Sequence, residues 1–529
     1  MCYLRFDKAQ MTNLQESLYK EMLITNRSGA YCSTTLVGCN IRKYDGLLVI
    51  PVPELDDENH VLLSSLDETI IQHGAEFNLG IHKYQGENYS PKGHKYIVSF
   101  EWEQVPTWTY RVGGVILKKE LAFDTRIFRL YIRYTLLEAH SATTLRLRPF
   151  LAFRSVRQWT HENSTANRSY DEVPNGIRMC LYQGYPDLYM QTSKESEWHY
   201  CPDWYRGLDY PKERERGYNA SEDLLVPGYF EMPIKKGETI TFSAGVGEIE
   251  PDRINEFLQN EIESIDHRDS FYHCLVNAAH QFRVNKDGES YILAGYPWFK
   301  ARARDTFIAM PGLTLAIGEN ERFEAYMSTA TKAIYNLIHK EPMSVEIYEM
   351  EQPDTLLWAT WTIQQYAKYT SRKKCYEKYG KLFKDIMDYI TNGQHPNLFL
   401  HENGLLYSNG RDRAITWMNS QSDGRPIVPR SGYIVEFNAL WYNALKFFEQ
   451  LIEENGQEEY ESLKIRVQKE AEKMARSFKE VFLNEYGYLL DYVDGQMMDW
   501  SVRPNQLFAI AFDYSPLDMK ERKGILDIC

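Results

Sequence analysis

The sequence predicts two halves of different class, an antiparallel β-sandwich followed by a helical barrel. Three observations carry that reading. At 529 residues the chain is too long for one ordinary core. Apolar residues repeat with period two from about residue 30 to 248, and with period 3.6 from about 250 onward. Turn signals rather than helices separate the segments of the first half.

In the first half, "RIFRLYIRYTL" (126–136), "TTLRLRPFL" (143–151) and "GETITFSAGV" (237–246) alternate apolar and polar residues, the pattern of strands with one buried face. "GYPD" (184–187) and "KKGE" (235–238) supply turns, and strands joined without alternating helices pack as a sandwich. The boundary is expected near 250, giving a domain over 1–248 and a linker helix within 249–269. Residues 270–529 then read as helical throughout. Segments are expected at 270–282, 305–317, 320–338, 354–370, 373–391, 435–453, 456–483 and 503–513.

Composition narrows the function. Hydrophobic residues make up 43% and charged residues 25%, a globular balance. A net charge of −14 argues against nucleic acid, because phosphate binding needs clustered Lys and Arg. The opening MCYLRFDKAQ has charge where a secretory leader needs an apolar core, and no run approaches the ~20 apolar residues that span a bilayer. A soluble, cytoplasmic protein with no membrane partner is expected. The eight cysteines, scattered and without a CxxC pair, suit reduced thiols; neither a metal nor a cofactor is expected.

Four stretches join carboxylates or amides to aromatic and Arg residues, and each runs into a helix start: "YPWFKARARDTF" (296–307), "EMEQPDTLLWATW" (349–361), "ITWMNSQSDGRPIVPRSGYIVEFNALWYNAL" (415–445) and "DWSVRPNQLF" (499–508). Planar apolar faces beside bidentate hydrogen-bonding groups suit a neutral polyhydroxylated ligand. Each residue also has a simpler reading. Asp305 and Asp354 could each serve as helix caps, and the aromatic content of 14% could fill cores.

With "NRSGAYCSTTLVGCNIRKYDGLLV" (26–49), these motifs resemble the glycogen debranching enzyme family, specifically its amylo-alpha-1,6-glucosidase domain preceded by the N-terminal sandwich domain. The resemblance covers about residues 20–529. It implies an (α/α)6 barrel of glucoamylase type after the sandwich, and hydrolysis of α-1,6-linked glucose at branch points of glycogen or another branched α-glucan. Arg304 and Asp305 match the pair that grips sugar hydroxyls, and Trp298 is the implied stacking platform. Asp354 matches the general acid. Glu436, in "VEFNALWYNAL", is the second candidate acid or a sugar contact. Arg503 and Asn505 lie in a matching motif as substrate contacts, while Asn443 is expected to serve structure. Asp45, Arg302 and Asn419 depart from the family pattern, which usually has His, Trp and Asp there.

An inverting glycosidase also needs a base, roughly 6.5–9.5 Å from the acid. Twelve barrel helices with loops require about 350 residues, more than 270–529 supply. The barrel is therefore expected to be incomplete at its C-terminal end, with the base beyond residue 529 and no transferase domain. Two alternatives stand beside debranching: a glucosidase for another α-glucoside, and a glucan-binding remnant without turnover.

Overall fold

The computed structural model describes residues 2–86, 88–454 and 461–529. The chain forms two compact units. The first comprises Met1–Lys286 with Gly295–Trp298, and the second comprises Asp287–Ala294 with Phe299–Cys529.

The first unit is the expected antiparallel sandwich, with a nine-stranded and a ten-stranded sheet in its described residues. One core joins Leu62, Leu63, Leu145 and Leu147 of one sheet to Phe100, Leu117, Leu130 and Ile132 of the other. Strand Thr143–Ser155 shows how sequence sets the layers. Its first half alternates, with Leu145 and Leu147 buried and Arg146 on the outer face paired with Glu231 and Glu76. Its second half, Phe150–Ser155, is buried on both faces, because Phe150 and Ala152 enter another apolar cluster with Val61, Leu208 and Leu224.

The observed division lies later than residue 250. Helix Ile254–Glu263 buries Ile254, Leu258 and Ile262 against Ala122 and Tyr131 of the nine-stranded sheet and Val105 of a connecting bend, so it packs as part of the first unit. Helix Phe271–Gln281 follows it there.

The second unit carries long helices at Ala303–Leu313, Asn320–His339, Thr355–Tyr369, Arg372–Thr391, Val435–Glu453 and Glu461–Phe482. Residues 456–460 of the helix expected at 456–483 lie outside the described residues. The helix expected at 503–513 is divided into a 3₁₀ turn, Pro504–Leu507, and the short Phe508–Ala511. Thr355–Tyr369 is buried nearly all round, as its run of Leu, Trp, Ala and Thr requires. It packs against Ala303–Leu313, Arg372–Thr391 and Val435–Glu453. Among the described residues no helix is long and apolar enough to cross a membrane.

The all-helical expectation for this region needs correction. Glu289–Ile292 is a short strand, and a small sheet orders Phe399–Leu400, Leu406–Ser408, Gly432–Ile434, Tyr492–Asp494 and Met497–Met498. Strands of two or three residues are too short to show a period of two. The small sheet nevertheless decides where several charged residues meet.

Candidate active site

Helix starts position the candidate residues. Arg302 forms a parallel bridge with Tyr348, and the Ala303 amide donates to the Tyr348 carbonyl at 2.9 Å. That pairing lays the loop ending in Asp354 beside the first turn of Ala303–Leu313. Neighbours on a helix point about 100° apart, so Arg304 and Asp305 do not share a face. Arg304 turns inward and is buried; Asp305 is exposed.

The Arg304 guanidinium grips Asp354 in a fork, Nε donating to Oδ2 at 2.7 Å and Nη2 to Oδ1 at 2.8 Å. Nη2 also donates to the Ile415 carbonyl at 3.3 Å, and Trp358 Nε1 donates to Asp354 Oδ2 at 3.2 Å. Burial pulls the Arg304 guanidinium down, but Asp354 outweighs it and the net direction is up. Asp354 occupies the N-cap position of Thr355–Tyr369 without a side-chain capping bond, and Asp305 lies in the first turn of its own helix, whose N-cap is Arg302.

A second network lies in the same unit. Strand Gly432–Ile434 pairs with Tyr492–Asp494, with Ile434 opposite Tyr492, and helix Val435–Glu453 starts directly after it. Gly432 is required at φ 93°, where a Cβ would stand 2.2 Å from the Val493 carbonyl oxygen. This junction brings Arg430, Glu436 and Asp491 together, all buried. Arg430 donates Nη1 to Glu436 Oε1 and Nη2 to Oε2, the latter at 2.6 Å. Its Nε and Nη2 also reach Asp491 Oδ2 and Oδ1, at 2.8 and 2.9 Å. Arg503 Nη1 donates to Asp491 Oδ2 and to Asp499 Oδ2, both at 2.7 Å, while Asn505 Nδ2 donates to Asp491 Oδ1 at 2.7 Å. Burial pushes the Glu436 carboxyl up; Asp491 adds to that push and Arg430 opposes it.

One loop joins the two networks. Ile415 takes the Arg304 bond through its carbonyl, and two residues on, Trp417 Nε1 donates to Asn505 Oδ1 at 2.8 Å. The structure therefore gathers Arg304, Asp354, Glu436, Arg503 and Asn505, with Asp305 exposed at its edge. Trp298 has a different setting. It belongs to the first unit, where its ring meets Tyr44 edge-on at 5.2 Å and lies 5.6 Å from the Arg157 guanidinium. Asn443 is structural as expected, exchanging amide bonds with Gln364 inside the helical core. Of the departures, Arg302 lies over Phe299 and beside Glu349, Asn419 is exposed, and Asp45 is buried in the first unit.

Sequence reasoning missed Arg430, Asp491, Asp499 and Trp417 as partners. Arg430 was visible only as a cation six residues before Glu436. Asp491 sits in "LLDYVDG", where nothing in the local pattern marks a buried charge.

Comparison with known proteins now bears on this arrangement. Residues 20–241 match the family described as glycogen debranching enzyme N terminal, and residues 275–529 match amylo-alpha-1,6-glucosidase. The chain belongs to the glycogen debranching enzyme family. Its amylo-alpha-1,6-glucosidase domain makes it a glycoside hydrolase, with α-glucan as the substrate class. Among curated protein sequences none matches significantly. A crystal structure of a bacterial glucoamylase complexed with acarbose is 11% identical over 90% of this chain and 69% of that one, with a TM-score of 0.45.

Proposed function

We propose that this debranching-family chain hydrolyses α-1,6-linked glucose at branch points of glycogen or a related α-glucan, with Asp354 as proton donor. The observation that carries the assignment is the contrast between the two arginine clasps. Arg430 is fixed by two buried carboxylates at once, so Glu436 is held in place. Arg304 grips a single carboxylate and one backbone carbonyl. Sugar hydroxyls can compete for such a fork. When they do, one Asp354 oxygen is released, takes up a proton from solvent and passes it to the glycosidic oxygen, so substrate binding and acid catalysis are coupled at Arg304. Asp305, adjacent and exposed, is free to accept from a neighbouring hydroxyl. Arg503 and Asn505 hold Asp491 in place beside Arg430.

A second reading makes Glu436 the donor. Its raised carboxyl favours that reading, since an acid must hold its proton near working pH. Glucose release from 6-O-α-glucosyl-maltotetraose by Asp354→Asn and Glu436→Gln decides between them. Loss of the acid removes at least ~10²-fold of rate. If Asp354→Asn keeps the wild-type rate while Glu436→Gln loses it, the donor is Glu436. If neither variant is slowed, catalysis lies elsewhere.

A further inference from the structure

We infer that the first unit holds a further binding site, for a small hydroxylated organic anion, in a cleft where Arg268 and Gln281 offer hydrogen-bonding groups that the fold itself leaves unused. Strand Glu21–Thr25 of the ten-stranded sheet and strand Val115–Phe123 of the nine-stranded sheet flank this cleft, and helix Phe271–Gln281 with the segment before it completes the wall. It encloses about 760 Å³ of empty space, within the range of small-molecule sites. Asp354 and Glu436 belong to the other unit, so this site is separate from theirs.

Arg268 lines the cleft and is only 8% exposed. Arg154, Arg304 and Arg430 are also buried, and each grips a carboxylate. Arg268 pairs with none among the described residues. Its Nη1 donates to the Gln104 and Glu103 carbonyls, at 2.7 and 3.4 Å, and its guanidinium lies 4.8 Å from the Trp102 ring centre. The group is thus held in place while Nε and Nη2 keep their donors. Asp266, on the same wall, is exposed and faces His280 at 3.8 Å. Burial pulls the Arg268 guanidinium down to about 10, and the opposing effects of Cys274, Cys2 and Asp266 do not restore it.

Gln281 supplies the complementary group. Its Oε1 is buried and accepts from no described residue, while its main-chain carbonyl takes Thr25 Oγ1 at 2.8 Å and fixes the end of the helix. A buried acceptor left unmet is costly until a ligand meets it. An anion that presents a carboxylate or phosphate to Arg268 and a hydroxyl to Gln281 satisfies both, with Leu121 and Phe123 against its carbon frame.

The test is calorimetric titration of the whole chain, at physiological salt, with glycerol 3-phosphate, glycerate and glycerol, which share one carbon frame and differ in charge. At least one of the two anions should bind and glycerol should not; the tighter anion identifies phosphate or carboxylate as the group that Arg268 takes. Arg268→Gln should weaken that binding about tenfold or more, the weight of a charge-assisted pair. Gln281→Leu should weaken it about threefold and leave the melting temperature unchanged or higher, because the unmet acceptor is gone. Should Arg268→Gln fail to fold, Gln281→Leu alone carries the decision. No binding of either anion, glycerol bound as tightly as the anions, or wild-type affinity in a folded variant overturns the proposal.

Discussion

Arg304 holds both carboxylate oxygens of Asp354, at 2.7 and 2.8 Å, across 50 residues of sequence and in the interior of the helical unit. A buried ion pair adds little net stability when intact, because desolvation offsets attraction, but losing one partner strands a charge. Arg304→Ala should therefore lower stability by about 3–5 kcal/mol. Arg304→Lys keeps the charge and loses the planar fork, so it should cost only about 1 kcal/mol while kcat/KM falls ~10-fold or more. Denaturant unfolding and kinetics of both variants check this. A Lys variant as unstable as the Ala variant would mean that the fork serves folding alone.

Asp45 predicts a pH dependence for the first unit. Burial pushes its carboxyl up to about 7 from an ordinary 3.8, against the pull of the Ile41 and Arg42 amides and the Ser33 hydroxyl. Between those two values the folded state keeps a proton that the unfolded chain has released. Stability must then fall as pH rises through this window, by up to a few kcal/mol, with the loss complete above about 7. Asp45→Asn cannot ionise and should show a flatter profile from pH 4 to 7. Parallel profiles for the two proteins would remove Asp45 as the cause.

The legible parts of this chain were those written in periodicity. Helix Val435–Glu453 and the sandwich strands follow directly from spacings of 3.6 and 2, because burial of one face repeats many times along each element. The four loop stretches were also legible, since aromatic, Arg and carboxylate residues before a helix start have few purely structural uses together. Their pairing was not. Arg304 reads as a sugar contact but spends its fork on Asp354, and nothing local says so. Asp491 meets Glu436 only through strands of three residues that leave no periodic trace. Trp298 stands in a short segment, Gly295–Trp298, that belongs to the first unit although the chain on both sides of it belongs to the second.

Trp298→Ala should destabilise the first unit by about 1–3 kcal/mol, through loss of the Tyr44 edge contact and the Arg157 cation–π contact. An unchanged melting temperature with a raised KM for a branched maltooligosaccharide would mean that Trp298 serves sugar binding instead.

Asn443 and Gln364 make the opposite kind of pair from Arg304 and Asp354. Both are buried amides, and the Asn443 oxygen also accepts from the Tyr514 amide at 3.3 Å. Asn443→Ala leaves the Gln364 amide and that backbone N–H short of partners, which costs about 1–3 kcal/mol. The expected result is a lower melting temperature with kcat and KM as in wild type. A selective fall in kcat would place Asn443 in the site.

Asp491 should be the most costly single loss in the second network. It is buried and accepts from Arg430, Arg503 and Asn505 together, so Asp491→Asn removes the negative charge shared by two arginines and puts an amide donor against one of them. Arg430 keeps Glu436, but Arg430 and Asn505 no longer share an anchor, and the indole of Trp417 loses its fixed partner. A cost of about 3–5 kcal/mol is expected. Arg503→Met should cost less, about 1 kcal/mol, because Asp491 retains Arg430 and Asp499 lies nearer the solvent. The two variants therefore order as Asp491→Asn, then Arg503→Met, in loss of stability and in weakened binding of the branched sugar. The reverse order would mean that Arg503 rather than Asp491 anchors this network, and equal effects would remove the ranking.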